Sequence, residues 1–149
     1  MIVAATGHRF LVGSGERTWA RTIKEVFFSL PELPAFVIAG DMVGIDPLIT
    51  AFCAQEDIPC YTFATRWDEF GLRAPTVRNA AMIACLKGFR DGGHDVEVLV
   101  FSGSPASADG TANLIRQALR ANIPVRTVSS HGRVNQLGSP ERGIVEPLG

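Results

Sequence analysis

The sequence predicts an α/β domain, a doubly wound parallel sheet of about five strands in the order 3-2-1-4-5 with helices on both faces. Short apolar runs of strand type alternate with stretches whose apolar residues recur at helical spacing, β then α four times, with a closing strand. That alternation implies parallel strands joined by crossover helices. The order 3-2-1-4-5 is the simplest that sets strands 1 and 4 side by side at a switch point. The 149 residues, 46% hydrophobic and 19% charged, suffice for one domain with a real core.

Residues 2–6, IVAAT, form the first strand, and Gly7-His8-Arg9 follow at its end. A glycine-punctuated loop leads to Gly15. Residues 16–30 then place Trp19, Ile23, Val26, Phe27 and Leu30 at helical spacing, and Pro31 ends the helix. Residues 35–39, AFVIA, form the second strand, broken by Gly40-Asp41. Asp46-Pro47 opens the next helix, with proline where its missing N–H costs little, and the helix runs to about Glu56. Residues 58–63, IPCYTF, are the third strand. A polar loop, Thr65–Ala74, contains Trp67 and Gly71, and a helix follows from about Pro75 to Lys87. Gly92-Gly93 turns the chain into the fourth strand, 96–101. A Ser/Gly/Ala-rich loop from Ser102 to Asp109, a helix over 110–121 and a fifth strand, Ile123–Val128, complete the domain, 1–128. Residues 129–149 are polar, rich in Gly and Pro, and read as a C-terminal tail or a partner-bound arm.

Bulk properties exclude several classes. A net charge of −1 and a pI near 6.3 disfavour broad nucleic-acid or membrane-surface binding, which needs a basic excess. Cys53, Cys60 and Cys85 have no CxxC spacing and sit in apolar segments, so reduced thiols and a cytoplasmic setting are expected. No run reaches the roughly 18 apolar residues of a membrane span, and the start, MIVAATGHR, reads as a strand rather than a signal peptide. His8, His94 and His131 lack metal-ligand spacing, so neither metal nor cofactor is implied.

In an open α/β sheet, ligands bind beyond the strand C-termini. Those positions hold Thr6-Gly7-His8-Arg9, Gly40-Asp41 through Gly44 and Asp46, Arg66-Trp67 with Arg73, Arg78 and Asn79, and Ser102 to Thr111. Glycine, guanidinium, hydroxyl and carboxylate are thus gathered at one edge. The stretch 96–118 organises the rest, because a strand that ends in small residues and feeds a helix N-terminus can form a nest for an anion. A tight βα connection would carry the same residues. Gly7 permits close backbone approach, and Arg9 suits a bidentate phosphate clamp or a surface salt bridge. His8 suits a ligand contact or a loop cap. Gly40 and Gly44 frame a turn that admits a ribose or phosphate. Asp46 is either a helix N-cap or a group for ribose hydroxyls or catalytic work. Arg78-Asn79 sits near a helix start, where arginine opposes the dipole and needs a partner, Asp68 or a ligand. Trp67 suits stacking on a base, or a core or lid role. Asp109 reads as an N-cap before Gly110, leaving Ser102, Gly103, Gly110 and Thr111 as the loop's ligand contacts.

TGHR at 6–9, the GxxxGxD pattern at 40–46, Trp67 with Gly71 and Arg78-Asn79, and FSGSPASADGT at 101–111 together resemble the SLOG superfamily. This Rossmann-like group includes YspA- and YpsA-like proteins, the LOG (lysine-decarboxylase-like) phosphoribohydrolases and the DprA nucleic-acid-binding branch. The W…G…RN segment looks most like the YspA-like branch. The resemblance spans roughly residues 1–128 and implies a nucleotide or nucleotide-derived ligand in the same cleft. One departure matters. The LOG enzymes carry PGGxGTxxE with a catalytic glutamate, and here Leu114 stands at that position while Ser102-Gly103-Ser104 replaces the entry to the motif.

The expectation is therefore a protein that binds a nucleotide-like small molecule as sensor or sequestering agent, with Arg9, Arg78, Asn79, Gly103 and Thr111 on the phosphates. The alternative is an N-glycosidase that cleaves a nucleoside monophosphate with Asp46 as its carboxylate; Asp41, Asp68, Glu69 and Asp109 are other stand-ins. A single-stranded nucleic-acid module is the weaker third reading, opposed by the near-neutral charge. Trp19, Phe27 and Phe28 on the first helix suit either a homo-oligomer interface or the core.

Overall fold

The computed structural model describes residues 1–10, 15–102 and 110–138. The chain runs β1 (Ile2–Gly7), α1 (Glu16–Ser29), β2 (Phe36–Ala39), α2 (Ile45–Gln55), β3 (Cys60–Thr62), α3 (Trp67–Phe70), a 3-10 turn (Gly71–Arg73), α4 (Ala74–Asp91), β4 (Val96–Phe101), α5 (Gly110–Arg120), β5 (Val125–Val128) and β6 (Val134–Leu137). The six strands form one sheet in the order β3-β2-β1-β4-β5-β6. The first five pair in parallel, Ala4 opposite Ile38 on one side and Val98 on the other. The fold is α/β and Rossmann-like.

Two apolar layers hold it. Side chains alternate across each strand, so Val3, Ala5, Val37, Ala39, Leu99 and Phe101 face α1 and α2, where they meet Trp19, Ile23, Phe27, Ile49 and Phe52. Ile2, Ala4, Ile38, Val98 and Val100 face α4 and α5, meeting Met82, Ile83, Leu86, Leu114 and Ala118. Both faces of β1 and β4 are covered, which is why these strands read as nearly continuous apolar runs, broken in β4 only by Glu97. Trp19 and Phe27 belong to this core, while Phe28 remains about half exposed. No helix among the described residues is long and apolar enough to cross a membrane.

Two elements differ from expectation. The stretch 65–74 is not an irregular loop but α3 and the 3-10 turn, which runs directly into α4. The start of the expected tail is a sixth strand. A turn closed by Ser129, whose N–H donates to the Arg133 carbonyl at 3.0 Å, brings β6 back antiparallel to β5 with Val128 opposite Val134. The Thr22 hydroxyl donates to the Ser130 carbonyl at 3.0 Å and ties that turn to α1. Leu137 packs on the second core layer. The segment is four residues long and half polar, so its pattern falls below what periodicity resolves.

Candidate functional site

Parallel pairing puts the C-terminal ends of β1, β2, β3 and β4 at one edge, and a cleft opens there. Thr6, Gly7 and Arg9 from the end of β1 line it, with Met42 after β2, Pro75 and Arg78 from α4, and Thr111 from α5. Five predicted site residues, Thr6, Gly7, Arg9, Arg78 and Thr111, thus come together around one cleft. Arg9 is exposed and Arg78 is buried, at 6% accessibility.

Behind the cleft lies a buried polar cluster. Asp46 is 2% exposed. Its Oδ1 accepts from the Thr6 hydroxyl at 2.7 Å and its Oδ2 from the Met42 N–H at 2.9 Å. It sits in the first turn of α2 without capping it; Gly44 is the N-cap residue and makes no side-chain cap bond. Asp41 accepts from the Thr65 N–H at 2.8 Å and from the Thr65 hydroxyl at 2.6 Å. Arg78 bridges the two acids, with Nη1 3.6 Å from Asp41 Oδ1 and 3.9 Å from Asp46 Oδ2. Its Nη1 also donates to the Thr65 hydroxyl at 3.2 Å, and its Nη2 to Asn79 Oδ1 at 3.1 Å. Asn79 in turn donates to Asn113 of α5 at 3.2 Å. The carboxylates that answer Arg78 near its helix start are therefore Asp41 and Asp46, not Asp68.

The acids respond differently to this setting. Burial raises the pKa of Asp46, and the Thr6, Met42 and Arg78 contacts only partly offset it; the nearby Asp41 charge raises it further. Burial also pushes on Asp41, but the two Thr65 bonds and Arg78 outweigh it and leave that carboxyl below its ordinary value. Two acids facing one guanidinium spend most of its charge internally. Among the described lining residues, Arg9 is the cation not tied to a carboxylate.

The glycines serve this packing. A Cβ on Gly40 would sit 2.5 Å from Asp46 Oδ2 and 2.7 Å from Arg78 Nη1, so the cluster itself fills the space expected to admit a ribose or phosphate. A Cβ on Gly7 would collide with the Phe101 carbonyl and Ile45. Gly44 takes φ +107°, a conformation side chains avoid, and lets the loop pass within reach of His8 and Phe10.

Other expected residues lie elsewhere. His8 packs against Trp19, ring centroids 5.3 Å apart, and its backbone N–H donates to the Phe101 carbonyl at 3.1 Å. Trp67 is 44% exposed on α3 and does not line the cleft. The Ser102 N–H is taken by the Val128 carbonyl at 3.0 Å. Gly110 opens α5. Gly103 and Asp109 lie outside the described residues. Thr65 and Met42 were missed, although both sit at strand ends that the edge rule covers. Leu114 is fully buried in the α5 core layer.

Among the described residues no group of three or more His, Cys, Asp or Glu side chains could hold a metal ion. No family model matches the chain, and no curated protein matches it.

Proposed function

We propose that the chain binds a nucleotide or nucleotide-derived ligand at the C-terminal edge of its sheet, as a sensor or sequestering protein related to the SLOG superfamily. The observation that carries this reading is the division of labour at the edge. No carboxylate lines the cleft among the described residues, while Arg9, Thr6, Gly7 and Thr111 do. Both nearby acids, Asp41 and Asp46, are engaged by Thr65, Thr6, Met42 and Arg78. Cleavage of an N-glycosidic bond needs a carboxylate that reaches the sugar or an attacking water. Phosphate and ribose recognition needs only donors, and an exposed arginine with a helix N-terminus beside it suits that task. A cytoplasmic homo-oligomer without a cofactor belongs to the same reading.

One observation favours the second reading, an N-glycosidase. Burial holds the Asp46 carboxyl above its ordinary pKa, as a general acid requires. One experiment separates the two. The protein is incubated with nucleoside monophosphates, NAD and ADP-ribose relatives, and cyclic nucleotides, then filtered, and both fractions are weighed by mass spectrometry. Retention of an unchanged compound is the expected result. Release of a free base with a sugar phosphate would establish turnover instead, and Asp46→Asn would then have to stop it. Retention of nothing would refute the ligand-binding reading.

A further inference from the structure

Helix α4 presents two neighbouring faces near its N-terminus, and only one belongs to the cleft. Pro75 and Arg78 line the cleft, whereas Ala74, Val77, Arg78 and Ala81 line a second cavity toward the edge strand β3. The spacing of those four, i, i+3, i+4, i+7, is one helical stripe. Opposite it stand Tyr61 of β3 and Phe63 just past its end, two residues apart in extended chain and so on one side. Their rings lie 4.9 Å apart at 78°. Phe70 and Arg66 close the end, around a cavity of about 280 Å³.

Tyr61 and Phe70 keep 56% and 36% of their surface exposed, so much of each ring lacks a protein partner. The alanines opposite leave a slot rather than a filled core. The size is at the small end of ligand pockets, about 300 Å³, which suits a single ring system. Arg78 lines both cavities, so one side chain separates the two ends of a ligand that occupies them. Its Nε–H is buried and has no acceptor among the described residues.

We propose that this groove takes the planar heteroaromatic base of the nucleotide, packed on Tyr61, Phe63 and Phe70, while the sugar-phosphate end stays beside Arg9 and Thr111. The assignment rests on the nucleotide reading of the cleft. It gives the β3 edge, not Trp67, the stacking role.

Calorimetric titration of the intact protein with AMP, GMP, CMP, UMP and ribose 5-phosphate tests it, alongside Tyr61→Ala and Phe70→Ala. Both positions are exposed enough for the variants to fold, which a thermal melt checks. The wild type should bind at least one nucleotide about tenfold tighter than ribose 5-phosphate, a margin of the size stacking supplies. Each variant should lose most of that margin and keep its affinity for ribose 5-phosphate. Unchanged nucleotide affinity in both variants would overturn the groove assignment and leave the cleft reading standing. Equal loss of both probes would also overturn it, because the rings would then be holding the site rather than a base. Binding of neither probe by the wild type would overturn the cleft reading and the groove with it.

Discussion

Gly40→Ala and Gly88→Ala make the same chemical change and should move stability in opposite directions. Neither glycine has a positive φ, so neither substitution is opposed by backbone strain. Both reduce the freedom of the unfolded chain, a stabilising effect of about 0.4–1 kcal/mol. At Gly88, in the exposed interior of α4, the new Cβ meets nothing within 4 Å, and alanine is the better helix former. That variant should gain about 0.5–1 kcal/mol. At Gly40 the methyl would fall 2.5 Å from Asp46 Oδ2, 2.7 Å from Arg78 Nη1 and 3.1 Å from Arg78 Cζ. Asp46 accepts hydrogen bonds from Thr6 and Met42, and Arg78 donates to Asn79, so these groups cannot simply swing away. Shifting them costs the about 1–3 kcal/mol of overpacking, or loosens a charged hydrogen bond worth about 1.5–3 kcal/mol. After the unfolded-state gain is subtracted, Gly40→Ala should lose about 1–2 kcal/mol. Urea denaturation of the three proteins at neutral pH measures both values, with unchanged m-values checking that two-state behaviour holds. A Gly40→Ala protein as stable as wild type would mean that the Asp46–Arg78 contact is loose, and the account of Gly40 as a packing glycine would fall.

Arg78→Ala should destabilise by about 3 kcal/mol, since it leaves Asp46 buried without its cation while Asp41 keeps some solvent; a fully stable Arg78→Ala variant in urea would disprove the buried role. Arg9→Ala should leave the urea midpoint unmoved and weaken ligand retention about 10- to 100-fold, the worth of one charge-assisted contact; unchanged retention in the filtration assay would remove Arg9 from the site. Glu97, buried on β4 and 3.1 Å from Arg126, has its carboxyl pushed above the ordinary glutamate value by burial. The folded state then holds the proton more tightly than the unfolded chain, so stability falls as pH rises from the ordinary value through the raised one. Glu97→Gln, which cannot ionise, should therefore compare more favourably with wild type at pH 7 than at pH 4 in thermal melts. A difference that does not change with pH would refute the shift.

The sequence made the sheet legible because its strongest signals are physical requirements of a parallel core. Strands covered on both faces are apolar nearly throughout, as in IVAAT and VEVLVF with Glu97 its one charged member, and the helices between them must carry one apolar stripe, as α1 does with Trp19, Ile23, Val26 and Phe27. Strand β6 lacked both signals, since an antiparallel edge strand of four residues needs only a partner's backbone. The edge position of the polar residues was legible for the same topological reason: parallel strands deliver all their C-terminal ends to one side. What the sequence could not reveal was the direction in which those residues point. Asp41, Asp46, Thr65 and Arg78 lie as many as 37 positions apart (78 − 41), and their meeting depends on β2, β3 and α4 converging. Arginine near the start of α4 announced a need for a carboxylate or a ligand, and two carboxylates from the β2 end supply it. An edge rich in polar groups is therefore only a candidate site until the groups spent on each other are set aside. Asp46 and most of the charge of Arg78 are spent in that way, and Arg9 is the cleft cation not tied to a carboxylate among the described residues. Trp67 stays outside the cleft, whereas the rings of Tyr61 and Phe70 stand partly open in the second cavity that the same arginine lines.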